Sequence, residues 1–222
     1  MLSTERAPRT HPFSRFRTVP HYTPTPRTVP MTTQPEIEHI WVITGPAGCG
    51  KTTVASYLSQ ELGYPYLEGD DFHPPSNKQK MGSGIPLTDA DRWDWLITLR
   101  NAATAKLTQS NAVIVTCSAL KHKYRDVIRV ASYEHPSVQV HFIFLKVDEE
   151  TLQARVKARV GHYMKESMVH SQMEALEEPQ EDEFDVLKID VTQDKDAVRN
   201  NALAGLRAKL KEYEPPTTNG HT

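Results

Sequence analysis

Ile40-Trp41-Val42-Ile43-Thr44 runs directly into Gly45-Pro46-Ala47-Gly48-Cys49-Gly50-Lys51-Thr52, and the reading of these thirteen residues decides the fold. The first five are apolar and largely β-branched, as suits a strand buried on both faces. The next eight fit G-x-x-x-x-G-K-[ST], and a helical pattern leaves them from Lys51 to Leu62. Strand, glycine-rich loop and helix in that order make a cradle for an anion. The glycines let successive backbone N–H groups turn inward, and the helix N-terminus adds the positive end of its dipole. In such a cradle Lys51 reaches the β- and γ-phosphates of a nucleotide, and the Thr52 hydroxyl holds Mg²⁺. Gly45, Pro46, Ala47, Gly48, Cys49, Gly50, Lys51, Thr52 and the adjoining Thr53 are therefore the candidate ATP-binding residues.

Outward from the loop, short apolar runs alternate with amphipathic stretches. Strands are expected at 64–68, 112–117, 138–147 and 186–190, and helices at 90–107, 121–131, 148–159 and 194–213. Apolar strands separated by helices imply a parallel sheet covered on both faces, so residues 36–213 read as one doubly wound α/β domain. Residues 1–35 differ in kind, with seven Pro, eight Thr and few aliphatic side chains, and are expected to be a disordered extension. Arg-bearing and acid-poor, this extension resembles a mitochondrial transit peptide, but its spaced prolines oppose the amphipathic helix that such a signal needs. Residues 214–222, with Pro215-Pro216, read as a frayed tail.

Charge narrows the function. The 222 residues carry a formal −2, but the first 35 hold five Arg against one Glu, leaving −6 on the remainder. A body that acidic is poorly suited to nucleic acid, and an anionic ligand must be caught by a local basic site. No run approaches the length of a membrane span. Two cysteines make no disulfide framework and no zinc site, and both are expected to be buried thiols, so a soluble, cytoplasmic protein fits best. The D-x-x-G and N-K-x-D signatures of a switch GTPase are missing, and strand 112–117 runs on into Ser118-Ala119 with no magnesium-holding acid of a transport ATPase. A small-molecule kinase remains. Its acceptor-side carboxylate is expected where the second strand ends, at Asp70 or Asp71, beside the loop.

Gly69-Asp70-Asp71-Phe72-His73-Pro74-Pro75-Ser76-Asn77, then Lys80-Met81 and Gly84-Ile85-Pro86-Leu87-Thr88-Asp89-Ala90-Asp91-Arg92-Trp93, resemble the small ATP-dependent gluconokinases, which are similar in fold to shikimate and nucleoside monophosphate kinases. The resemblance continues at Cys117-Ser118-Ala119-Leu120-Lys121, Tyr124-Arg125, Arg155 to Arg159, Gly161-His162-Tyr163, Ser171-Gln172 and Leu176-Glu177-Glu178-Pro179. It implies transfer of the ATP γ-phosphoryl group to the 6-hydroxyl of D-gluconate. Members of the family differ at Asp71, which favours Asp70 as the functional carboxylate.

Gluconate needs a cation for its carboxylate and hydrogen-bond partners for its hydroxyls. By resemblance Arg92 takes the acid group, and His73, Lys80, Ser118, Lys121 and Arg125 are further substrate candidates. Arg155 and Arg159, four apart on one helix face, would stack on adenine and contact phosphates, with a lid over 161–170. The family often forms dimers. A kinase for another polyol acid such as shikimate, and a non-catalytic nucleotide-binding regulator, are the competing readings.

Overall fold

β1 (Glu38–Thr44), β3 (Ala112–Thr116) and β4 (Val138–Lys146) are buried along nearly their whole length, so each must lie between two other strands and under helices on both faces. That is how the chain arranges them in the computed structural model, which describes residues 36–158 and 166–214. With β2 (Tyr66–Leu67) and β5 (Val186–Asp190) at the edges they form one parallel sheet, in the order β2-β3-β1-β4-β5. The strand that feeds the loop is central, with Ile43 opposite Thr116 on one side and Thr44 opposite Phe144 on the other. The expected extension 1–35 and the tail beyond Glu214 lie outside the described residues.

Among the described residues the helices are α1 (Lys51–Leu62), α2 (Pro75–Gly82), α3 (Asp89–Lys106), α4 (His122–Glu134), α5 (Glu149–Ala158), α6 (Glu166–Glu174) and, after the last strand, α7 (Lys195–Lys211). Side chains alternate between the faces of a strand, and this period divides the core. Trp41 and Ile43 of β1 face α1, α5 and α7 through Leu58, Leu152 and Leu206. Ile40 and Val42 face α3 and α4 through Leu96, Leu99 and Ile128. Side chains fix helix starts, as at α5, where Asp148 accepts from the Thr151 N–H at 2.7 Å, and at α3 and α7. The Thr88 hydroxyl accepts from the Asp91 N–H at 3.4 Å while the Thr88 N–H donates back to the Asp91 carboxylate at 2.9 Å. Asp194 accepts from the N–H groups of Asp196 and Ala197 at the head of α7.

Strands and long helices fall where the periodicity puts them. The differences lie at the polar end of the sheet. The second strand shrinks to two residues and is followed by a 3-10 turn (Gly69–Phe72), and α2 and α6 have no counterpart in the sequence reading. α2 lacks an apolar stripe. Its buried residue is Asn77, whose side chain donates to the Asp91 carbonyl at 2.6 Å.

Toward the opposite end of the sheet, two buried histidines meet. His39 Nδ1 lies 3.1 Å from His141 Nε2, the Trp41 ring stacks on His141 at 4.3 Å, and the Tyr213 ring meets both imidazoles edge-on. Burial lowers the pKa of both, that of His141 to about 3. Cys49 and Cys117 are free and buried, and burial raises both thiol pKa values, that of Cys117 to about 12.

Candidate active site

The loop at 45–52 closes tightly on itself. Lys51 Nζ folds back to donate to the carbonyls of Gly45 and Pro46 at 3.0 and 3.1 Å. The turn after β3 buttresses its entry: the Ser118 carbonyl accepts from the Gly45 N–H at 3.3 Å and from the Thr44 hydroxyl at 2.7 Å. Gly45 has φ +139°, and a Cβ there would lie 2.9 Å from Cys49 Sγ and 3.0 Å from the Leu145 carbonyl oxygen, so a larger residue has no place.

Beside Thr52 stands a carboxylate that the sequence reading passed over. Glu68, at the end of β2, accepts from the Thr52 hydroxyl at 3.0 Å and from the hydroxyls of Tyr66 and Thr116. Burial raises its pKa, but the hydrogen bonds from Thr116, Tyr66 and Thr52 and the charge of Lys51 outweigh that and hold it below the ordinary glutamate value. The signal lay in the spacing: a strand end carrying acids at 68 and 70, the first turned to the loop and the second to the cleft. Thr52 and Glu68 form an all-oxygen pair, which fits Mg²⁺ completed by phosphate and water oxygens. Among the described residues no cluster of three or more His, Cys, Asp or Glu could hold a metal alone.

Gly69 makes the next step of the chain possible. A Cβ there would fall 2.0 Å from the Thr116 carbonyl oxygen, so only glycine lets the turn approach β3 this closely. Its N–H donates to the Thr116 hydroxyl at 3.0 Å and its carbonyl accepts from the Trp95 indole at 2.8 Å. The turn so fixed delivers Asp70 to a cavity that it shares with Lys51, His73, Arg92, Ser118 and Lys121. Desolvation raises the pKa of Asp70, with Lys51 opposing. His73 stacks on Trp95 at 3.9 Å, and burial, with help from Arg92, lowers its pKa to about 4, so it is neutral near pH 7. Asp71 is exposed and does not line the cavity.

A second cavity opens on the other side of the loop. Gly48, Cys49, Gly50 and Thr53 line it together with Arg155 and Val191. Arg155 donates to the carbonyls of Cys49, at 3.5 Å, and of Val191, tying the loop to the segment after β5.

Comparison with known proteins meets this geometry. A family model described as an AAA domain matches residues 40–179. A probable gluconokinase of Schizosaccharomyces pombe is 43% identical over 83% of this chain and 96% of its own length. The chain belongs to the gluconokinase family. The thermoresistant gluconokinase of Escherichia coli is 42% identical over 73% of this chain and 90% of its own. A crystal structure of a gluconokinase from Sinorhizobium meliloti superposes with a TM-score of 0.68 at 39% identity, covering 80% of this chain and 96% of that one.

Of the residues that the gluconokinase resemblance nominated for substrate, the acceptor-side cavity gathers Asp70, His73, Arg92, Ser118 and Lys121. Arg92 is held at its rim by the Leu87 carbonyl and by the Tyr124 hydroxyl at 3.5 Å. The acids near it go elsewhere: Asp89 takes Lys121, Lys123 and Tyr124, and Asp91 takes Thr88 and Lys80.

Two nominations are corrected. Arg125 is not a surface cation of the cavity. It is 1% exposed and spent in a two-pronged pair with Glu183 at 2.6 and 2.7 Å, with Nη1 on the carbonyls of Ala119 and Glu177. It works from behind. Ala119 adopts φ 36°, which costs a non-glycine residue roughly 1 kcal/mol, and Arg125 grips the carbonyl of that strained turn between Ser118 and Lys121. Lys80 does not line the cavity; its ammonium is engaged at 2.6 Å by Asp91, the N3 partner of Thr88 in the capping box of α3. Arg159 and residues 161–165 of the expected lid lie outside the described residues; the lid's last part falls on α6, whose Ser171, Gln172 and Ala175 line the acceptor-side cavity. Gln172 belongs to the Ser171-Gln172 stretch of the resemblance, which assigns it no role.

Proposed function

We propose that the protein transfers the γ-phosphoryl group of ATP to the 6-hydroxyl of D-gluconate, giving 6-phospho-D-gluconate. One observation carries this reading: Lys51 of the phosphate loop and Asp70 line the same cavity as Arg92 and Lys121. Phosphate-side and acid-side cations therefore share one cavity with two carboxylates, Asp70 and the Lys121-paired Asp89, a layout suited to an anionic, hydroxyl-bearing acceptor. That relatives over most of the chain are named gluconokinases supports the same substrate.

The residues divide the work. Loop N–H groups and Lys51 receive the β- and γ-phosphates, while Arg155 walls the cavity on the base side. Thr52, with Glu68 behind it, holds Mg²⁺, which neutralises phosphate charge when bound. Asp70 orients the attacking hydroxyl and accepts its proton as the O–P bond forms. Arg92 and Lys121 hold the gluconate carboxylate at the far side, and the Ser118 hydroxyl and neutral His73 serve its hydroxyls. Because the reaction is mostly positioning and charge stabilisation, the pre-formed loop supplies much of the rate.

An ADP-release assay over a panel of sugar acids tests this. Gluconate is expected to stimulate turnover far more than shikimate or other aldonates. Intact ATP binding without gluconate-stimulated turnover would remove the substrate assignment, and no affinity for ATP would remove the kinase reading altogether.

A further inference from the structure

α6 reaches the phosphate loop through Gln172. The Ala47 N–H donates to the carboxamide oxygen of Gln172 at 2.7 Å, a bond between residues 125 apart in the chain. Its landing point is informative. Ala47 and Lys51 face the acceptor-side cavity, whereas Gly48, Cys49, Gly50 and Thr53 face the base-side one. Gln172 therefore acts on the half of the loop where the terminal phosphoryl group meets the acceptor alcohol, and it lines that cavity itself. With its oxygen held by Ala47, the carboxamide keeps two N–H donors for the cavity. α6 is itself anchored, with Val169 in the core and His170 pairing with Glu149 of α5 at 2.9 Å, so the carboxamide is carried on a fixed helix.

We propose that Gln172 is a positioning residue for phosphoryl transfer: it sets the Ala47 end of the loop from α6 and presents amide donors beside the transferring group. Nucleotide affinity is shared with the base-side residues Gly48, Cys49, Gly50 and Thr53, so it depends on Gln172 less than turnover does. The inference rests on the kinase reading above.

Two variants separate this role from a structural one. Gln172→Met keeps the length and removes both hydrogen-bonding functions. Gln172→Glu keeps an oxygen for Ala47 but loses the donors and sets a negative charge beside phosphate oxygens. Both are expected to lower kcat by ~10- to 100-fold, the loss typical of a misplaced reacting group. In Gln172→Met the Kd for ATP by calorimetry should change less than ~3-fold, since Lys51 and the base-side contacts are kept. Wild-type kcat in Gln172→Glu would overturn the proposal, because a mere tether survives that change. So would losses confined to ATP affinity, or a fall in thermal midpoint that accounts for the lost turnover in both variants. Wild-type turnover measured alongside, with Lys51→Met as the inactive control, shows separately whether the kinase reading itself stands.

Discussion

The two cavities that flank the loop are built by different means. The base-side cavity has one wall from the loop and the head of α1, through Gly48, Cys49, Gly50 and Thr53, and another from α5, the segment after β5 and α7, with Arg155 tying the loop to Val191. The acceptor-side cavity is assembled from side chains of the turn after β2, the start of α3, the turn after β3, and α6. The first takes a whole wall from the local geometry of the loop, whereas the second takes only Ala47 and Lys51 from it and the rest from tertiary packing, so damage should distribute differently on the two sides.

The largest effect is expected where the sides meet. Lys51→Ala should lower kcat by roughly 10²–10³ with the fold kept, by steady-state assay and circular dichroism, because one charge serves both phosphates and transition state. Near-wild-type turnover would break the division at its hinge. Next, Asp70→Asn should cost ~10²-fold in kcat, and Asp71→Asn less than ~2-fold, since only Asp70 lines the cleft. In the parent enzyme kcat/KM should fall as pH drops through the Asp70 pKa, which lies above the usual aspartate value, and Asp70→Asn should lack that acidic limb. Behind the acceptor side, Arg125→Met leaves Glu183 buried with one partner fewer, a loss of about 3 kcal/mol. A thermal midpoint lower by roughly 6–12 °C should result, with the gluconate KM little changed. Smallest and most selective, Arg92→Lys should raise the gluconate KM by ~10-fold and leave the ATP KM within ~2-fold, because an ammonium cannot reproduce a forked grip. A shift in the ATP term would move Arg92 to the other cavity.

The same contrast explains what the sequence made legible. The loop, α1 and the central strands could be read because their signals are local: a glycine pattern, an apolar run, a 3.6-residue period. Asp70 was readable as an acid at a strand end beside the loop. Arg125 was misread because a basic residue on a helix gives no local sign that a carboxylate 58 residues later will bury with it. Lys80 likewise met its partner, Asp91, only through packing of α2 on α3. Glu68 escaped because attention fell on β3 for a magnesium-holding acid, while the acid that meets Thr52 ends the neighbouring strand.

The imidazole pair at the far end of the sheet has a consequence for handling the protein. His39 and His141 bind protons less readily folded than unfolded, so the denatured chain takes up more of them below about pH 6.5, the usual histidine value. Stability held in full above that value is therefore drawn down as a buffer is acidified toward pH 5, a range in which Glu183, its pKa near 2, still keeps its charge. Melting curves across this interval should slide downward, and His141→Phe should reduce the slide without abolishing it, because buried His73, its pKa lowered to about 4, draws on the same interval: mild acid acts through buried imidazoles before it reaches the carboxylates that hold the walls of the cleft.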